Sequence, residues 1–253
     1  MRKPLRILSL APTQTEILAA LGLTGELVGV SEDCDYPEEV RLLPTFGGWW
    51  EPDVARIRAA APELVCTFGQ RQEDLAGFLG ATGLKVFHGD PETVSAALEN
   101  IRKLGTITGT DAVAAELCNS LRKRVRRVQQ RVTASRRHMR PRVLRIMHWQ
   151  PLVTVGPGAF QHDVILLAGG QNVMGDGTAP YFTCDPEEGC RRDPEVIFCC
   201  EPRILDRLRD DPVWQAVSAV RDSRLHVFDC GLTCRSGPRI VDMLEALASV
   251  LDD

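Results

Sequence analysis

Short runs rich in Val, Ile and Leu alternate with amphipathic stretches from the start of the chain. Residues 6–10, 27–31, 63–68 and 85–88 read as strands, and residues 13–23, 52–61, 72–81 and 91–104 as helices. Thr13 and Glu16 have capping-box spacing, while Pro52 and Pro91 suit first helical turns. A second series follows. Its strands are predicted at residues 142–148, 195–200 and 225–229, and its helices at 160–168, 204–208 and 240–251. Alternation of strand and helix predicts a parallel sheet covered on both faces, here once in each half of the chain.

Between the two series, Val113, Leu117, Leu121, Val125, Val128 and Val132 recur at steps of three or four, on one helical face. Neither Pro nor Gly interrupts residues 111–139, so a helix of roughly 40 Å is expected there. This divides the chain into an α/β lobe at residues 1–109, a linking helix at 110–140 and a second α/β lobe at 141–253. From Arg122 to Arg142 there are ten Lys or Arg and no acid. The simpler reading is a solvated face opposite the apolar stripe; the sharper one is a surface for an anionic partner.

Composition narrows the function. With 44% hydrophobic and 25% charged residues, the chain can pack a core. Its net charge of −4 argues against nucleic acid as the partner, and no apolar stretch reaches the length needed for membrane insertion. The N-terminal apolar run is short and leads into the first predicted strand, unlike a secretory signal. The cysteine count is odd, at nine, which favours free thiols in a reducing compartment. A cytoplasmic protein is therefore expected, or a periplasmic one whose signal has been removed.

Ligands of open parallel sheets bind beyond the carboxyl ends of strands. The residues at those positions stand out as a group: Asp33 and Cys34 after the second strand, Trp49 and Trp50 in a Gly-rich loop, and Phe68 after the third strand. In the second half they are Trp149, Tyr181 and Arg235. Aromatics form only 6% of the chain, yet three of four Trp and both Tyr fall in these loops. That pattern predicts a site for a large, flat or apolar ligand. Trp214, in a helical pattern, is assigned to packing. Cys34, Cys184, Cys230 and Cys234 lie in the same class of loop and are the candidates for a soft-metal or thiolate site. Cys66, Cys199 and Cys200 are read as buried strand residues. No nucleophile elbow, phosphate loop or zincin motif is present, so an enzyme is not expected. A Cys34 nucleophile is disfavoured because Asp33 and Asp35 beside it would raise its pKa.

Six segments carry a resemblance: RILSLAPTQTEILAALGL, LVGVSEDCDYPEEV, WWEPDVARIRAAAPELV, LLAGGQNV, DPEVIF and GPRIVDMLEAL. In this order they resemble the helical-backbone periplasmic binding proteins of ABC importers, in particular the vitamin B12-binding proteins and their cytosolic cobalamin-binding relatives. The resemblance implies two α/β lobes joined by one long helix, with ligand held in the cleft between lobes. It implies non-catalytic binding of a cobalamin-like corrinoid, or alternatively of haem, a siderophore or another metal chelate using the loop cysteines. Trp49, Phe68, Tyr181 and Arg235 fall at positions that hold ligand in those relatives. Asp33, Val153 and Gly231 depart from the family's Tyr, Phe and Asp. The family presents one acid from each lobe to its permease; Glu187 matches one such position, but Ala55 stands at the other. That departure weakens the expectation of a permease partner.

Overall fold

The computed structural model describes residues 4–135 and 139–252. The chain divides into two compact units. One takes the residues up to Pro91 and Ser95–Leu121, the other Glu92–Val94 and the residues from Arg122 onward.

The first unit is built from β1 (Ile7–Ser9), α1 (Pro12–Ala20), β2 (Leu27–Val30), α2 (Val54–Ala60), β3 (Leu64–Phe68), α3 (Glu73–Ala81) and β4 (Val86–Gly89). Then come α4 (Val94–Thr108) and α5 (Asp111–Ala134), the helix within which the division falls. The strands form one parallel sheet in the order β2-β1-β3-β4, with Ile7 opposite Leu64 and Val65 opposite Val86. Successive residues of β1 and β3 are buried, so both faces of the sheet are covered, as parallel strands require. Glycine at position 29 is a packing requirement. A Cβ there would stand 2.1 Å from the Phe46 ring and 2.8 Å from the Pro44 carbonyl oxygen.

The second unit contains β5 (Arg142–Arg145), β6 (Val153–Val155), α6 (Phe160–Leu167), β7 (Gln171–Asn172), β8 (Tyr181–Thr183) and α7 (Pro186–Arg191). It continues with β9 (Val196–Cys199), α8 (Pro202–Asp210), α9 (Ser218–Arg221), β10 (Leu225–Val227), α10 (Cys230–Thr233) and α11 (Ile240–Asp252). Its parallel sheet runs β10-β9-β5-β7. Counted from its own first strand, that is again the order 2-1-3-4. Its core gathers Leu144, Ile146, Ile197, Cys199, Ile204, Leu208 and Trp214.

Several local expectations change. The α1 N-cap is Ala11, with no side-chain cap, and Pro12 opens the helix; Thr13 and Glu16 lie inside it and are buried. Asp53 caps α2 by accepting from the Arg56 amide, one residue beyond Pro52. Tyr181 and Phe182 are not in a loop. They pair in an antiparallel β6–β8 ribbon, with Val155 opposite Tyr181.

The long helix also differs from its expected pattern. Its inward stripe is Ala114, Cys118, Leu121 and Val128, whereas Val113 is exposed. The expected stretch to Met139 includes residues 136–138, which lie outside the described residues. Its basic side is not simply solvated. Arg124 forks onto Asp242 and Glu245 of α11, and Arg131 pairs with Asp252. This pairing holds the Glu245 carboxyl below its ordinary range. Among the described residues, no helix is long and apolar enough to cross a membrane.

Candidate functional site

In a sheet of order 2-1-3-4 the connections leave in opposite directions beyond strands 1 and 3, and the crevice this opens is where ligands of such folds bind. In the first unit that point lies beyond the ends of β1 and β3. Gln72, buried to 1% exposure, occupies it. Its Nε2 donates to the carbonyls of Leu10 and Trp49, both at 2.9 Å, and its Oε1 accepts from the Phe68 amide at 3.0 Å. One side chain thus ties the β1 end, the Gly-rich loop and the β3 end together.

Trp49 is held from three further directions. Its amide donates to Asp33 Oδ2, its indole Nε1 donates to the Phe68 carbonyl at 3.3 Å, and its ring meets Trp50 edge-on at 5.0 Å. With the indole N–H already used, the half-buried ring has only its apolar faces to offer. Trp50 is exposed, with the Arg71 guanidinium 4.3 Å from its ring centroid. Gly47, at φ +85°, gives the loop a left-handed turn, and a Cβ there would meet the Glu51 carbonyl oxygen at 2.5 Å. Asp33 therefore positions Trp49. Cys34 is buried, its sulfur 3.0 Å from Thr15 Oγ1 and 3.4 Å from Ser31 Oγ.

A second buried glutamine does comparable work in the other unit. Gln161 accepts from the Tyr181 hydroxyl at 3.3 Å and donates to the Thr233 carbonyl at 3.1 Å, linking β8 to α10. The Tyr181 side chain remains half-exposed, and Arg235 follows α10 half-buried. Trp149 is half-buried and packs one side against the core, its ring 5.9 Å from that of Trp214.

The four candidate metal thiols do not form one group. Cys34 turns into the core of the first unit, and Cys184 is buried with its thiol on the Asp185 carbonyl. Among the described residues, the thiols that meet are Cys200, Cys230 and Cys234, all within 4.8 Å of one another. The reading of Cys200 as a strand residue fails because β9 ends at Cys199; Cys200 is the first residue beyond the strand. Hydrogen bonds from Cys230 and Cys234 hold the Cys200 thiol far below its ordinary range, and the nearby Arg145 cation adds to this. None of the nine cysteines is in a disulfide.

Sequence reasoning missed Gln72, Gln161 and Cys200. Only the switch-point topology would have singled out their places.

Residues 7–230 match the family described as periplasmic binding protein. The chain belongs to that family. This overturns the cytoplasmic expectation, since the family is one of periplasmic proteins. The binding protein is 27% identical, over 99% of its length and 89% of the relative's, to the vitamin B12-binding protein of Photorhabdus laumondii. Its structure is similar to that of the periplasmic vitamin B12-binding protein of Vibrio cholerae, with a TM-score of 0.87 and 26% identity, covering 98% and 97% of the two chains. The periplasmic heme-binding protein of Roseiflexus shares the fold, with a TM-score of 0.86 and 23% identity, covering 98% of each chain.

Proposed function

We propose that this protein binds a corrinoid without turning it over, and presents it to an ABC permease. The observation that carries the reading is Trp49, a half-buried indole fixed at the sheet's switch point with its only polar atom already bonded. Such a ring is prepared for the apolar face of a large macrocycle, and it loses little entropy on binding. Phe68, Trp50, Tyr181 and Arg235 are the further contacts proposed, with Asp33 and Cys34 supporting the loop. Similarity to vitamin B12-binding proteins over nearly the whole chain supports a corrinoid ahead of other macrocycles. For the permease, Glu187 is exposed in the first turn of α7, where its amide is capped by Asp185, while Ala55 is exposed on α2 without a charge. Docking is thus proposed to rely on the acid of the second unit.

Calorimetric titration with cyanocobalamin, cobinamide and haemin tests this. A saturable signal with one equivalent of either corrinoid is expected. Trp49→Ala should weaken it about 30-fold, from the roughly 2 kcal/mol of a buried aromatic anchor. Saturable binding of haemin with no heat from either corrinoid would refute the proposal.

A further inference from the structure

The second unit carries its own switch point, beyond the ends of β5 and β9. The residues there are chemically specific. Arg145 ends β5, Cys200 follows β9, and after β10 Cys230 opens α10 while Cys234 stands at its C-cap. Cys230 Sγ is 3.5 Å from Cys234 Sγ, which is 4.0 Å from Cys200 Sγ. A metal with metal–sulfur bonds of about 2.3 Å sets its tetrahedral sulfurs about 3.8 Å apart. The trio therefore already has the spacing of one coordination sphere.

Arg145 is an independent pointer to a ligand. It is fully buried, its guanidinium lies 5.3 Å from the Phe198 ring centroid, and its Nε has no hydrogen-bond partner. One of its terminal nitrogens lies 3.6 Å from Cys200 Sγ and 3.7 Å from Cys234 Sγ. A buried cation with one terminal nitrogen turned to two sulfurs, the other donating to the Ile146 carbonyl, suits thiolates and supplies an outer hydrogen bond of the kind that metal–sulfur sites use. The charges also balance. Three thiolates and one guanidinium sum to −2, which a divalent ion neutralises.

We propose that Cys200, Cys230 and Cys234 bind a divalent thiophilic metal ion of the Zn2+ type through three sulfurs, with the fourth position open to solvent. Binding displaces to water whatever protons the three thiols still carry. Cys230 is exposed, so the ion has a route in. None of the three ligands is a proposed corrinoid contact, although Arg235 follows Cys234 directly, and the metal is tested with no corrinoid present.

The test uses the full chain, reduced and kept free of oxygen. Titration with Co2+ should give a thiolate charge-transfer band and tetrahedral d–d bands that saturate at one equivalent, and Zn2+ should displace the Co2+. Cys200→Ser, Cys230→Ser and Cys234→Ser should each weaken Zn2+ binding by about 100-fold, the share of one ligand in a zinc–thiolate site. Cys190→Ser, half-buried outside the trio, should bind like the parent. Circular dichroism checks that the variants fold. Should any variant misfold, alkylation of the parent chain decides instead: Zn2+ should protect Cys200, Cys230 and Cys234 while leaving Cys190 reactivity unchanged. Absence of a charge-transfer band, parental affinity in Cys200→Ser, or alkylation indifferent to Zn2+ would overturn the proposal.

Discussion

Replacing Gln72 with methionine should lower the unfolding free energy by about 2–4 kcal/mol and weaken corrinoid binding, although the new side chain is of similar length and fills the space. The reason lies in what it leaves behind. Leu10 and Trp49 each lose the donor to a carbonyl, and Phe68 loses the acceptor for its amide. A buried polar group stripped of its partner costs about 1–3 kcal/mol, less where water enters. The Leu10 carbonyl is deeply buried and the other two groups are partly exposed, so their penalties are unequal. Gln72→Glu would keep the acceptor for Phe68 but lose both donors, and should be no better tolerated. Urea denaturation followed by near-ultraviolet circular dichroism measures both stability and aromatic order. A methionine variant with parental stability and affinity would show that these bonds do not hold the loops.

Trp214→Ala should cost about 3–5 kcal/mol, in the range of the largest core truncations. The indole is 1% exposed and packs beside Trp149 within a core that includes Leu152 and Leu208. Gly189 approaches it so closely that a Cβ there would stand 3.0 Å from the ring, so the backbone is shaped around it. Trp149 loses its ring partner in the variant and should become more exposed, seen as a red-shifted emission. Trp214→Phe should recover a large part of the loss. A denaturation midpoint unchanged in Trp214→Ala would contradict the packed core assigned here.

What could be read from sequence was what local periodicity records. The four strands of the first sheet and the long helix after residue 110 both rest on apolar patterns of short spacing. The β6–β8 ribbon escaped because its strands have three residues each and are far apart in the chain. Gln72 escaped for a related reason. Its partner Leu10 is 62 positions away, and a polar residue in a helix-forming stretch looks solvated until the fold buries it. Among the cysteines, proximity in the fold decided what spacing could not. Cys200 sits 34 positions from Cys234, next to a strand whose end was misjudged by one residue. The compartment was misjudged from the short N-terminal apolar run and the odd cysteine count, and the match to a periplasmic family overturned both grounds.

The strand-end aromatics are proposed to hold a corrinoid. The most direct test is the mass and visible spectrum of the small molecule released from the protein purified from its native cells. The mass of a cobalt corrinoid with the absorption of its macrocycle is expected, at up to one equivalent per chain. A haem, or a siderophore without cobalt, released in the same proportion would contradict it.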